Sequence, residues 1–277
     1  MNAIAIGPLV FSAERFAAIL GIGLFLLVAE IWALWRGRGA HISAWAFRAV
    51  AVGLLSARAG FVLANLESYR QAPLDVFAVW QGGFAPQVGI VGFAAVVLLS
   101  ILRGAAVVRP LVVAAFVGGL GYEVVGIVSG ADRPGRLPEA SFADLSGAPV
   151  TPAEREGRPL VLNLWASWCP PCVREMPMMV EVAERFETVD FLFVNQGEAP
   201  EHISRFLRRA RIDGDLVLLD PQTALMEQFG ALGLPATIFF DARGRMQAVH
   251  VGEISRAELT ARVQDLQDDQ QPAGDET

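Results

Sequence analysis

The stretch Asn163-Leu164-Trp165-Ala166-Ser167-Trp168-Cys169-Pro170-Pro171-Cys172 decides how this chain is read. Leu160–Trp165 is a compact apolar run of a length suited to a buried strand. Val173–Phe186, behind the cysteines, has helical spacing with its acids outward. The pair therefore opens a helix directly after a strand. Free N–H groups and aligned peptide dipoles at a helix N-terminus stabilise an anion, and the thiolate is the attacking species in thiol chemistry. Cys169 is thus the candidate nucleophile. Cys172, one turn later and deeper, is placed to attack a mixed disulfide and release its product. Pro170 and Pro171 suit a first helical turn, where a missing N–H costs little.

Spacing alone leaves redox and metal chemistry open. The chain has only these 2 cysteines and 3 histidines, His41, His202 and His250, which are scattered. Zinc takes four ligands, so no metal site is expected. A four-residue ring constrains little chain entropy, which argues against an inert structural disulfide. All 22 basic side chains are arginine, so Schiff-base chemistry has no residue to use. A net charge of −7 without a basic patch argues against nucleic acid as a partner. No cofactor is expected beyond a redox-active Cys169–Cys172 disulfide.

Further along, Phe191–Asn195 and Leu216–Leu219 read as strands, with helices at Glu201–Arg211 and Gln222–Phe229. Ala236–Phe240 and Met246–Val251 flank the turn Asp241-Ala242-Arg243-Gly244, a hairpin signal. Arg256–Leu266 closes with a helix. This order predicts an α/β domain, a central mixed sheet with helices on both faces. Its expected bounds are 138–267, after a Pro/Gly linker at 132–137 and before a polar, disordered tail at 268–277.

Trp165–Cys172, together with Gly233-Leu234-Pro235-Ala236-Thr237 ahead of a strand, resembles the thioredoxin fold. More narrowly it is similar to the TlpA/ResA family of membrane-tethered thiol reductases, over roughly residues 138–267. The resemblance implies that Pro235 is a cis-proline facing the cysteines and that the Leu234 backbone pairs with an extended substrate. It also implies that Glu175 handles the proton for Cys172. Trp168, from its place next to the nucleophile, is expected to shape the substrate surface. Thioredoxin carries a buried Asp where this chain has Asn163, which cannot move a proton.

The other half is of a different kind. Hydrophobic residues make up 53% of the chain and charged ones 18%, and the charges are unevenly spread. Residues 1–136 carry +4 and residues 137–277 carry −11. Four apolar runs, Phe16–Trp35, Ala44–Ala64, Val88–Leu102 and Val107–Ser129, predict a helical membrane domain over 1–131 with about four transmembrane helices. Arg36, Arg38, Arg103 and Arg109 mark the first and third connections as cytoplasmic. The C-terminal domain then faces the periplasm from a multi-pass inner-membrane anchor. Arg48, Arg58 and Glu123 fall within predicted spans, as pairing or functional charges.

Ile6-Gly7-Pro8-Leu9, Ala57-Arg58-Ala59-Gly60-Phe61-Val62, Trp80-Gln81-Gly82-Gly83-Phe84 and Gly89-Ile90-Val91-Gly92 resemble prolipoprotein diacylglyceryl transferase over roughly residues 6–100. Gln87 stands where that family has a catalytic His, so the resemblance implies a retained scaffold without the transferase chemistry.

Three readings follow. The leading one is a reductase of extracytoplasmic protein disulfides, recharged by a separate thiol electron donor. The second is a DsbA-like oxidase with the same pair. The third makes the membrane half a lipid- or partner-binding module regulated by the redox domain. A relay of electrons through membrane cysteines is excluded, because residues 1–168 contain none.

Overall fold

The computed structural model describes residues 3–6, 9–35, 39–103, 107–129, 135–155 and 157–269. The chain forms two compact units, one of Ala13–Phe77 with Gly83–Ala131, the other of Asp132–Thr277 joined by Met1–Ser12 and Ala78–Gly82.

The first unit is helical: α1 (Ala13–Trp35), α2 (Gly39–Ala64), a short α3 (Leu66–Gln71), α4 (Pro86–Leu102) and α5 (Val108–Ser129). Three of these contain apolar stretches long enough to cross a membrane, Ala13–Trp35, His41–Ala64 and Val108–Val128. The expected third span is the exception. Bounded by Pro86 and Arg103, α4 has 17 residues, about 25 Å of helix against a hydrocarbon core of about 30 Å.

Without a water-driven hydrophobic effect, membrane helices pack through small residues that let backbones approach. A Cβ on Gly21 would lie 2.9 Å from the Gly118 carbonyl oxygen, and one on Gly118 would lie 2.6 Å from that of Gly21, which locks α1 to α5. Between α2 and α4, a Cβ on Gly89 would come within 2.9 Å of Ala57 Cβ, and one on Gly92 would collide with Ser56 Oγ. Of the charges within the expected spans, Arg58 is buried and fully engaged. Its guanidinium donates to the carbonyls of Asp75 (2.6 Å), Val76 (3.0 Å) and Gly83 (2.8 Å), between the rings of Tyr69 and Phe84. It braces the α3–α4 connection. Arg48 lies over Trp45, and Glu123 is exposed.

The second unit carries a two-stranded hairpin, β1 (Ala3–Ile6) with β2 (Leu9–Ser12), and a seven-stranded mixed sheet. In chain order that sheet contains β3 (Phe142–Asp144), β4 (Pro149–Val150), β5 (Leu160–Trp165), β6 (Asp190–Gln196), β7 (Val217–Asp220), β8 (Ala236–Phe240) and β9 (Met246–Val251). Spatially the order is β4-β3-β7-β6-β5-β8-β9. β5, β6 and β7 are parallel; β8 runs against β5, and β9, antiparallel to β8, runs in the direction of the parallel strands. The helices are α6 (Pro170–Arg185), α7 (Pro200–Ala210), α8 (Ala224–Gln228) and α9 (Arg256–Asp268).

The edge pair β3–β4 was not anticipated, being only three and two residues long. It closes around Asp144, whose Oδ1 accepts from the Ser146 and Ala148 amides. Of the expected linker, residues 132–134 lie outside the described residues. Gly135–Leu137 is tied to the β8–β9 hairpin, with Leu137 N–H donating to Gly244 and Met246 N–H to Gly135. The expected tail lies outside the described residues from 270 onward, and Asp268 still belongs to α9.

All six residues of β5 are buried, and their side chains alternate between faces. Leu160, Leu162 and Leu164 join Leu192, Val194, Ile238, Phe240 and Phe229 on one face. Val161 and Trp165 join Met176, Met179, Val182, Ile203 and Val263 on the other. Asn163 shares the parity of Val161 and Trp165, so the sheet directs its amide toward α6.

Candidate active site

β5 delivers the chain to a tight turn in which Cys169 N–H donates to the Ala166 carbonyl at 3.2 Å. Cys169 then caps α6 in an extended conformation, its Sγ accepting from Cys172 N–H at 3.4 Å. Cys169 and Cys172 are joined in a disulfide with Cα atoms 5.3 Å apart. The two are not equivalent. Cys172 is fully buried and Cys169 is 3% exposed, at the helix end where unpaired amides favour a thiolate. Beside them Trp168 stands 67% exposed.

Glu175 lies one turn beyond Cys172, on the same helix face. It is buried at 3% exposure, which rules out a solvated surface acid. Its two oxygens are held separately: Asn163 Nδ2 donates to Oε1 at 3.2 Å, and Ile254 N–H to Oε2 at 3.0 Å. Burial pushes its pKa from 4.5 up to about 8, and the two hydrogen bonds only partly oppose this. Near neutral pH it holds its proton and can still give it up. Arg174, next along α6, pairs with Glu253 at 2.6 Å, so two adjacent residues of α6 are held by two adjacent residues of one loop.

The Leu234–Pro235 bond is cis. Pro235 immediately precedes β8, and its carbonyl accepts from Gly252 N–H at 2.8 Å. β8 pairs with β5, with Asn163 opposite Thr237. Leu234 is half-buried and packs against both cores. Asn163 Nδ2 also donates to Thr237 Oγ1 at 3.1 Å. Asn163 therefore links the buried acid to β8. Sequence reasoning missed this donor role and missed Thr237, because strand pairing alone brings them together. No cluster of His, Cys, Asp and Glu able to hold a metal occurs among the described residues.

A sheet of this order, with a Cys-Pro-Pro-Cys pair capping the helix after a central strand, defines a thioredoxin-fold thiol–disulfide oxidoreductase. A family model described as Redoxin matches residues 120–265, more than half of the chain, and the chain belongs to the redoxin family. The thiol-disulfide oxidoreductase ResA of Geobacillus thermodenitrificans is 28% identical over 131 residues, 47% of this chain and 75% of the relative. The thiol:disulfide interchange protein DsbE of Pseudomonas fluorescens biotype C is 31% identical over 127 residues, 44% of this chain and 70% of the relative. A solved structure of MTB dsbF in mixed oxidised and reduced forms has 30% identity and a TM-score of 0.44, covering 46% of this chain and 95% of that one. None of these matches supports the diacylglyceryl transferase likeness of residues 6–100.

Proposed function

We propose that this enzyme is a membrane-anchored reductase of protein disulfides outside the cytoplasm. The observation that carries this reading is a buried Glu175, held by Asn163 and the Ile254 amide, on the same helix face as a buried Cys172, behind the helix-capping Cys169. In the reduced pair the Cys169 thiolate attacks a substrate disulfide, forming one S–S bond and breaking another. The leaving sulfur takes up a proton. Glu175, poised near pH 8, releases its own proton and as the carboxylate accepts that of Cys172. The Cys172 thiolate attacks the Cys169 sulfur, closing their disulfide, and the second substrate sulfur leaves and takes up a proton. Two electrons and two protons pass to the substrate. Trp168, Leu234 and Pro235 form the surface that receives an extended substrate segment. No other cysteine exists in the sequence, so a separate thiol protein re-reduces the pair.

The relatives' names, oxidoreductase and interchange protein, support disulfide exchange and leave its direction open. The reduction potential of the full chain in detergent tests the direction. A value of roughly −200 mV or below is expected; one near −120 mV would make the enzyme an oxidase.

The placement outside the cytoplasm rests on the Arg-bearing connections and requires α4 to cross. Its 17 residues meet the lower end of the spanning range, about 17–25 residues, and its glycines pack it along α2. Residues 6–100 are read as anchor and scaffold only. Gln87 offers no imidazole for transferase chemistry.

A further inference from the structure

The turn between β5 and the nucleophile is held by a residue that the chemistry above does not use. Ser167 and Trp168 are its two central residues, closed by the bond from Cys169 N–H to the Ala166 carbonyl. Both polar groups of Ser167 donate to one carboxylate, that of Glu198: the amide to Oε2 at 2.6 Å and the hydroxyl to Oε1 at 2.5 Å. Asn195 Nδ2 adds a third bond to Oε2 at 2.7 Å.

The geometry is specific. Asn195 lies opposite Trp165 in the parallel β5–β6 register. Gly197, with φ of +77°, reverses the chain after β6 and brings Glu198 back over the end of β5. Asn195 is 1% exposed and its Oδ1 has no hydrogen-bond partner. A buried amide left half-satisfied is costly, and its remaining polar contact is the bond to Glu198.

We propose that Glu198 is a positioning residue for Cys169, fixing the Ser167–Trp168 turn and with it the angle at which the sulfur and the exposed Trp168 meet a protein disulfide. Ser167 is two residues before Cys169, so their Cα atoms are at most about 7 Å apart. At that range a loosened turn moves the attacking atom directly, and preorganised approach is worth large factors in rate. The carboxylate also places a negative charge near the developing thiolate, which it disfavours.

This inference rests on Cys169 being the attacking thiol. The test uses the reduced full chain in detergent and follows its single-turnover oxidation by insulin disulfides. Glu198→Ala should lower the second-order rate constant on the order of tenfold. Glu198→Gln, isosteric and still able to accept from Ser167 N–H, should recover part of that loss. With its charge gone, Glu198→Gln should also move the pH midpoint of Cys169 alkylation by iodoacetamide to lower pH. A residue of purely structural importance would lower the melting temperature and leave that midpoint in place. A Glu198→Ala rate within twofold of the parent, or a midpoint unmoved in both variants, overturns the proposal. Exchange surviving in Cys169→Ala would instead overturn the nucleophile assignment, because the Glu198 variants keep both cysteines.

Discussion

Glu175 is an acid buried beside the redox pair, and its protonation has a thermodynamic signature. Its folded-state pKa, about 8, lies above its ordinary value of 4.5. Between those values the folded chain holds a proton that the unfolded chain has lost. Stability from this group is therefore greatest at low pH and falls as pH rises through that window. Glu175→Gln removes the titration. Melting temperatures of the oxidised chain from pH 5 to 8.5 should show the variant gaining on the parent as pH rises, by several kcal/mol in total. Parallel curves would show that Glu175 is not protonated near neutrality. The same substitution should flatten the pH dependence of Cys172 reactivity, with Cys169 blocked, between about pH 7 and 9.

At the scale of elements, the helical unit depends on close approach of backbones, and the mixed sheet on alternation. Gly21 and Gly118 each leave no room for a Cβ against the other's helix. Gly118→Leu should force α1 and α5 apart and cost on the order of 1–3 kcal/mol, read as earlier unfolding on titration with a denaturing detergent. An unchanged midpoint would remove the contact from the packing of this unit. The sheet shows what local sequence carries. β5, β6, β8, β9 and helices α6 to α9 follow apolar runs or periodic patterns, and each lies within a few residues of its expected place. β3 and β4 do not, because three-residue and two-residue strands offer no period to detect. They exist through pairing with β7 and with each other.

At the scale of the whole molecule, the two cysteines allow a test of topology without added labels. In intact spheroplasts treated with a reductant, a membrane-impermeant maleimide should modify the full chain, and prior treatment with a permeant maleimide should block this. Labelling only after lysis would place the redox domain in the cytoplasm and leave α4 as a helix that does not cross. The opening motif was legible as chemistry because its parts are contiguous: a buried strand, a turn and a helix start placed Cys169 and Cys172. That pair, the redox class and the presence of apolar helices are written in the chain itself, since they rest on local periodicity and composition. The burial of Glu175, the bonds from Asn163 to Glu175 and Thr237, and the hold of Glu198 on the turn before Cys169 arise only in the folded chain. The reason is physical. Those contacts join residues from 12 to 74 positions apart, and strand register, which no local pattern encodes, sets which of them meet.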